Sequence, residues 1–260
     1  QNSKTTGQQE LFENKSETFS VTLNDDGLKS KVEDTIDSRL RSLSLEKKVI
    51  GFYLSGHPIK EYQNEINSMS IKSIASYFDK LYSTDIDDDF SEHGTVSGVI
   101  TSIRSQRMGK DRFINILTID DSTHRLEIIL FSDVYEKYRD LIKENEILFF
   151  SGVIAMDDYN GDLSMKATKV IDMDSARQQY SKEIELFILP EHINDNILAR
   201  IVKLLEPHKN GKCPLTIKCL SNQHIVPLEL DSEWLINPSS TLINGLSDLL
   251  GKENIIVKYE

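Results

Sequence analysis

The residues best suited to chemistry cluster in the middle of the chain. Arg104, Arg107, Lys110 and Arg112 fall in one short stretch, interrupted by Asp111, with Gly109 leaving room for a turn. Cations gathered on a hairpin suit the phosphate oxygens of a nucleic-acid backbone. Arg125, Lys166 and Lys169 could extend the patch over a neighbouring surface. Phe113, Phe131 and Tyr159 could stack on bases, although Phe113 and Phe131 equally suit a core. Solubility alone also puts Arg and Lys on hairpins, so composition leaves both readings of the cations open. Asp120-Asp121 is the nearest approach to a paired-carboxylate metal site. Adjacent strand residues point to opposite faces, however, and Asp120-Asp121-Ser122 reads as a turn. His57, between Gly56 and Pro58, caps or packs a turn, and no partner ligands cluster around it. No nucleophile elbow, phosphate-cradling glycine loop or zinc-ligand series is present.

A second kind of site lies near the start. Residues 1–30 are polar, with too few apolar side chains to offset the entropy of ordering, and read as a flexible linker. Inside it stands Gln8-Gln9-Glu10-Leu11-Phe12. Two adjacent large apolar residues there either dock on the chain's own surface or form a short motif, with Leu11 and Phe12 filling a partner's pocket and glutamine supplying hydrogen bonds.

Three further stretches supply the elements that position these residues. Residues 31–92 read as a helical connector. Ile36, Leu40, Leu43 and Lys47 fall at helical spacing, the apolar content runs on to Leu54, and Gly56 and Pro58 stop it. Ile71, Ile74, Ala75, Phe78 and Leu81 suggest another short helix, and the acidic string Asp85, Asp87, Asp88, Asp89 and Glu92 reads as a solvated linker. Residues 93–175 alternate as five short strands, with a bend or bulge allowed at Gly98 and a hairpin turn at Asp157–Gly161. One helix, capped by Ser132 or Asp133, falls between the third and fourth strands, which is the order of a five-stranded OB-fold β-barrel. A small β-sandwich competes but gives no reason for a helix there. Residues 181–260 succeed one another as β-α-β-β-α-β, a compact α/β domain in which Ser239 or Ser240 caps the last helix and Trp234 packs or anchors a partner. The fold class is therefore multi-domain α+β.

The bulk properties limit function. The net charge of -12 means that any nucleic-acid contact depends on a local patch. No apolar run is long enough to cross a membrane. Cys213 and Cys219 would stand roughly 20 Å apart in an extended run, so they read as free thiols of a reducing cytoplasm. The chain opens on Gln1, which reads as the cut end of a longer protein.

Several of these segments together carry a family resemblance. Gly51-Phe52-Tyr53-Leu54-Ser55-Gly56-His57-Pro58, followed by Tyr62, resembles the stretch that precedes the OB domain in the alpha subunit of bacterial DNA polymerase III, a C-family replicative polymerase. Ile103-Arg104, Gly109, Arg112-Phe113 and Leu117-Thr118-Ile119-Asp120-Asp121 resemble the opening of that domain. Leu126–Phe131, Tyr135, Tyr138, Gly152, Asp157-Asp158-Tyr159 and Leu163–Ala167 continue the likeness. The resemblance implies a DNA-directed DNA polymerase, a nucleotidyltransferase, as the intact protein. Its catalytic carboxylates and Mg2+ would lie before Gln1, leaving this chain non-catalytic and without a cofactor. It implies that Gln8, Leu11 and Phe12 engage the sliding clamp (the beta subunit). The barrel would meet single-stranded template through Arg104, Arg107, Lys110, Arg112, Arg125 and Lys166, and the last domain would bind the clamp-loader tau subunit. The proofreading exonuclease subunit would be reached only through other parts of the parent, no membrane is involved, and the protein would work in the bacterial cytoplasm at the replisome. A free-standing OB-fold single-strand-binding adaptor and a purely protein-binding module are the alternatives.

Overall fold

The computed structural model describes residues 36–83, 90–108, 112–157, 161–192, 196–221 and 224–259. Gln8, Leu11 and Phe12, the Asp85–Asp89 part of the acidic string, Lys110 and Tyr159 lie outside the described residues, as does the side chain of Arg112. The first element, α1, runs Ile36–Ile50. It stops short of the expected apolar continuation because Gly51 takes φ 93° and its N–H closes on the Lys47 carbonyl at 2.8 Å. Phe52 and Leu54 are consequently exposed. His57 caps a turn of 3-10 helix over Pro58–Glu61, its Nδ1 accepting from the Ile59 N–H at 3.4 Å. Two short helices follow, α2 (Gln63–Ser68) and α3 (Ile74–Ser83), the latter burying Ile74 and Tyr77.

Five strands then close a barrel: β1 (Ser91–Met108), β2 (Arg112–Asp120), β3 (Arg125–Phe131), β4 (Ile147–Met156) and β5 (Leu163–Ile171), in the order β1-β2-β3-β5-β4. β1 is long enough to serve two partners. Its first half pairs with β4 and its second with β2, and the register shifts between Ile100 and Ser102. That shift, rather than Gly98, marks the irregularity; Gly98 instead lets Ile119 come close. The inward rows, including Ile100, Leu117, Ile119, Leu126, Ile128, Leu130, Phe150 and Met165, form the core. α4 (Ser132–Tyr138) lies between β3 and β4 and packs Val134, Tyr135 and Tyr138 against that core. Neither Ser132 nor Asp133 caps it: Phe131 holds the extended N-cap position, and the Ser132 hydroxyl donates to the Phe113 carbonyl at 2.6 Å.

α5 (Met173–Tyr180), capped by Asp172, leads directly into a second sheet. Its elements are β6 (Ser181–Ile188), α6 (Ile197–Leu205), β7 (Lys209–Cys213), β8 (Leu215–Ser221), β9 (His224–Glu229), α7 (Ser240–Leu250) and β10 (Ile255–Tyr259). The sheet order is β10-β6-β8-β9, with β6 and β8 parallel across the α6 crossover. Ile184, Leu186, Leu215 and Ile217 pack under Ile201 and Leu205 of α6 and Leu242, Leu246 and Leu250 of α7. Ser239, not Ser240, caps α7, accepting from the Leu242 N–H at 3.2 Å. β7 stands outside the sheet, bridging to Ile236, and only a glycine fits at 211, where an added Cβ would meet the Ile236 backbone at 2.1 Å. Trp234 packs on this core with the Lys209 ammonium 3.5 Å from its ring centre, and both cysteines are free thiols.

A buried arginine joins the parts. Arg177 on α5 donates to both carboxylate oxygens of Glu65 on α2 at 2.6 and 2.8 Å, to Asp174 at 3.0 Å and to the Ser240 hydroxyl at 2.6 Å. The Tyr259 hydroxyl on β10 also bonds Glu65, and Asp174 accepts from the N–H and hydroxyl of Ser240. Burial works against the Arg177 charge, but the Glu65 and Asp174 carboxylates more than offset it and hold its pKa above the usual range. Burial and the Glu65 charge push the Tyr259 phenol up, so it stays protonated and donates.

Candidate nucleic-acid interface

Strand pairing sorts the barrel residues by face. Leu126, Ile128 and Leu130 of β3 point into the core, so Arg125, Glu127, Ile129 and Phe131 point outward. Ile129 is the register partner of Ile116 on β2 and of Lys166 on β5, and Ile116 is the partner of Arg104 on β1. One row across the outer face therefore reads Arg104, Ile116, Ile129, Lys166. Ile114 and Phe131 form the adjacent row, with Phe131 46% exposed. The face thus has an apolar centre with an exposed ring, and a cation on each side. That combination can hold a base against carbon while the cations take its flanking phosphates.

The other cations singled out in the sequence fall elsewhere. Arg107 pairs in register with Phe113 towards the end of the hairpin, where both are exposed. Arg125 shares the outward face but lies four strand residues from Ile129, about 13 Å away. Its Nε is held by Asp120 at 3.1 Å. Lys169 is tied to the Gln179 side chain on α5. Phe113 and Phe131 are surface rings and not core residues: Phe131 stands on the outward face of β3, and Phe113 sits near the start of β2, where the barrel no longer encloses it.

Two carboxylates accompany these cations. Arg104 Nη2 donates to both oxygens of Glu127, at 2.7 and 2.9 Å, spanning β2. Alternation along β3 showed Glu127 to face outward, but its pairing with Arg104 needed the β1–β2–β3 register. Asp120 has a structural job: it accepts from the Ser122 N–H at 2.8 Å and faces His57 Nε2 at 3.4 Å, and burial holds that imidazole below its ordinary pKa despite the nearby Asp120. Asp121 accepts from the Ile74, Thr123 and His124 N–H groups at 2.7, 2.8 and 3.0 Å. With their oxygens committed to these donors, the two aspartates do not fit a cation pair. Among the described residues no group of three or more His, Cys, Asp or Glu side chains could hold a metal ion. No helix among them is long and apolar enough to cross a membrane.

Similarity to known proteins divides along the same lines. Residues 95–173 match the family described as an OB-fold nucleic acid binding domain, and residues 200–251 match the C-terminal domain of DNA polymerase III subunit alpha. The chain is 31% identical over 218 residues to DNA polymerase III subunit alpha of Escherichia coli strain K12, covering 83% of this chain and 18% of that one. It is 30% identical over 214 residues to the Vibrio cholerae subunit, covering 82% and 18%. The chain therefore spans less than a fifth of the length of these relatives. Among solved structures, a single-stranded DNA-binding protein from Mycobacterium smegmatis is similar over 33% of this chain and 92% of its own, at 16% identity and a TM-score of 0.29.

Proposed function

Because the chain is related to the C-terminal region of the DNA polymerase III alpha subunits, we propose that it is the non-catalytic, partner-holding part of a replicative DNA-directed DNA polymerase. The parent's nucleotidyl transfer, with its Mg2+, would belong to a catalytic region outside this chain, and the protein would work in the cytoplasm at the replisome. The barrel holds single-stranded template. The observation that carries this is the outward row in which Arg104 and Lys166 flank Ile116 and Ile129 beside Phe131. Binding of labelled oligo-dT tests it. Arg104→Ala/Lys166→Ala is expected to weaken affinity at low salt and to reduce the slope of log affinity against log salt by up to about 0.7 for each phosphate no longer neutralised. Unchanged affinity and slope would take the strand off this face. A free-standing adaptor would share the barrel, but relatedness over 83% of the chain favours the polymerase.

The reading gives two more partners. Gln8, Leu11 and Phe12 would hold the sliding clamp, Gln8 by hydrogen bonding and the apolar pair by filling its pocket. The terminal sheet would hold the clamp-loader tau subunit. What supports the latter is an uncovered apolar strip. Leu204 of α6 lies against α7 at Gly245, so Leu198 and Val202 look away from α7. Val226 and Leu228 of β9 pair with Cys219 and Ile217, on the side of the sheet that the helices cover elsewhere. These four side chains are 54%, 44%, 51% and 45% exposed. Leu198→Asp/Val226→Asp is expected to weaken tau binding at least about tenfold, or 1.4 kcal/mol, with an unchanged circular dichroism spectrum. Full affinity in a calorimetric titration would place tau elsewhere.

A further inference from the structure

We propose that Glu127 is a built-in competitor for the phosphate at Arg104, so that the Arg104–Glu127 pair latches the strand-binding face. The inference rests on the single-strand reading of the barrel. The pair spans β2: Arg104 is the register partner of Ile116, and Glu127 that of Thr118. Ile116 points away from the barrel core and yet is only 5% exposed. A side chain so placed should be open to solvent, and the ion pair crossing β2 at this register is placed to supply its cover. Opening the pair uncovers Ile116 between Ile129 and Ile114, next to the exposed ring of Phe131. The act that releases Arg104 therefore also extends the apolar floor on which a base or sugar can rest.

Three observations make the latch openable and specific. The Arg104 and Glu127 side chains are 54% and 39% exposed, and ion pairs with that much solvent around them are weak. A phosphate oxygen offers the guanidinium the same acceptor chemistry as the carboxylate, so the exchange needs no new geometry. Among the described residues the Glu127 side chain has no hydrogen-bond partner other than Arg104. Asp120, by contrast, holds the β2–β3 turn through Ser122, so its pairing with Arg125 is incidental to a structural task.

The latch makes a thermodynamic prediction. In the free protein Arg104 is neutralised by Glu127 rather than by small counter-ions. A phosphate that takes Arg104 thus releases fewer ions than the number of cations on the face implies. Glu127→Gln in the 260-residue chain is expected to tighten binding of fluorescein-labelled oligo-dT about two- to fivefold, the range set by a surface ion pair. It should also steepen the slope of log affinity against log salt by about 0.7. The double variant Arg104→Ala/Glu127→Gln should show neither gain, and thermal melts monitor folding. Equal or weaker binding by Glu127→Gln than by wild type, with the wild type binding, sinks the latch and leaves the single-strand reading standing. If neither protein binds at low salt, both fall together.

Discussion

Replacing Arg177 by methionine is expected to destabilise the protein by about 3 kcal/mol, towards the lower end of the cost of breaking a buried ion pair because the Glu65 left behind is only partly buried. The guanidinium side chain is 5% exposed and is the shared donor to Glu65, Asp174 and Ser240. Methionine fills similar space but leaves the Glu65 carboxylate, 22% exposed, with the Tyr259 hydroxyl as its remaining donor in this network. Urea unfolding followed by circular dichroism reads the loss. Arg177→Met/Glu65→Leu should recover part of it, because removing both charges also removes the desolvation penalty. Arg177→Lys should fall between, keeping the charge but losing the planar fork. A cost under about 1 kcal/mol for Arg177→Met would mean that the network decorates a junction held by apolar contacts. The network also ties α2, α5, α7 and β10 together, so the variant should separate the unfolding of the barrel from that of the terminal sheet.

The second large effect is expected at the other end of the chain. Leu11→Ala/Phe12→Ala should abolish sliding-clamp binding on the reading proposed above. Apolar anchors seated in a pocket are the residues whose truncation costs about 2 kcal/mol or more each. Two such anchors together correspond to a loss on the order of 1,000-fold. Fluorescence anisotropy of the labelled chain against purified clamp measures it, with Gln8→Ala as a milder companion that removes only hydrogen bonding. Clamp affinity unaffected by the double substitution would show that the pentapeptide is not the contact. Oligo-dT affinity should be unchanged in the same variant, since Arg104, Ile116, Ile129 and Lys166 are all retained.

What could be read from the sequence was what repeats locally. Alternation along Leu126–Leu130 revealed a strand with Glu127 outward, and the serines before Leu242 marked where α7 begins. What escaped depended on partners distant in sequence. Ser91–Thr95 of β1 are polar or small, with Gly94 among them, and are strand only because β4 completes their ladder. α5 is only eight residues long, and its stripe of Met173, Ala176 and Tyr180 spans too few turns, among polar neighbours, to stand out by periodicity. Arg177 itself reads as an ordinary surface cation until Glu65, 112 residues away, is placed beside it. The basic face was visible as composition, but its counter-charge was not. The pairing of Arg104 with Glu127 follows from a register that no single strand encodes.

The Tyr259–Glu65 contact also bears on the order in which the molecule can assemble, since 194 positions separate the two residues. Closing so long a loop is entropically costly and contributes to slow folding. A ribosome delivers α2 and the barrel well before β10, and N-terminal units generally fold first during synthesis. The barrel can therefore mature while Glu65 still lacks its last donor. The connector would lock against the terminal sheet only after β10 had emerged, making this junction a late checkpoint of biogenesis.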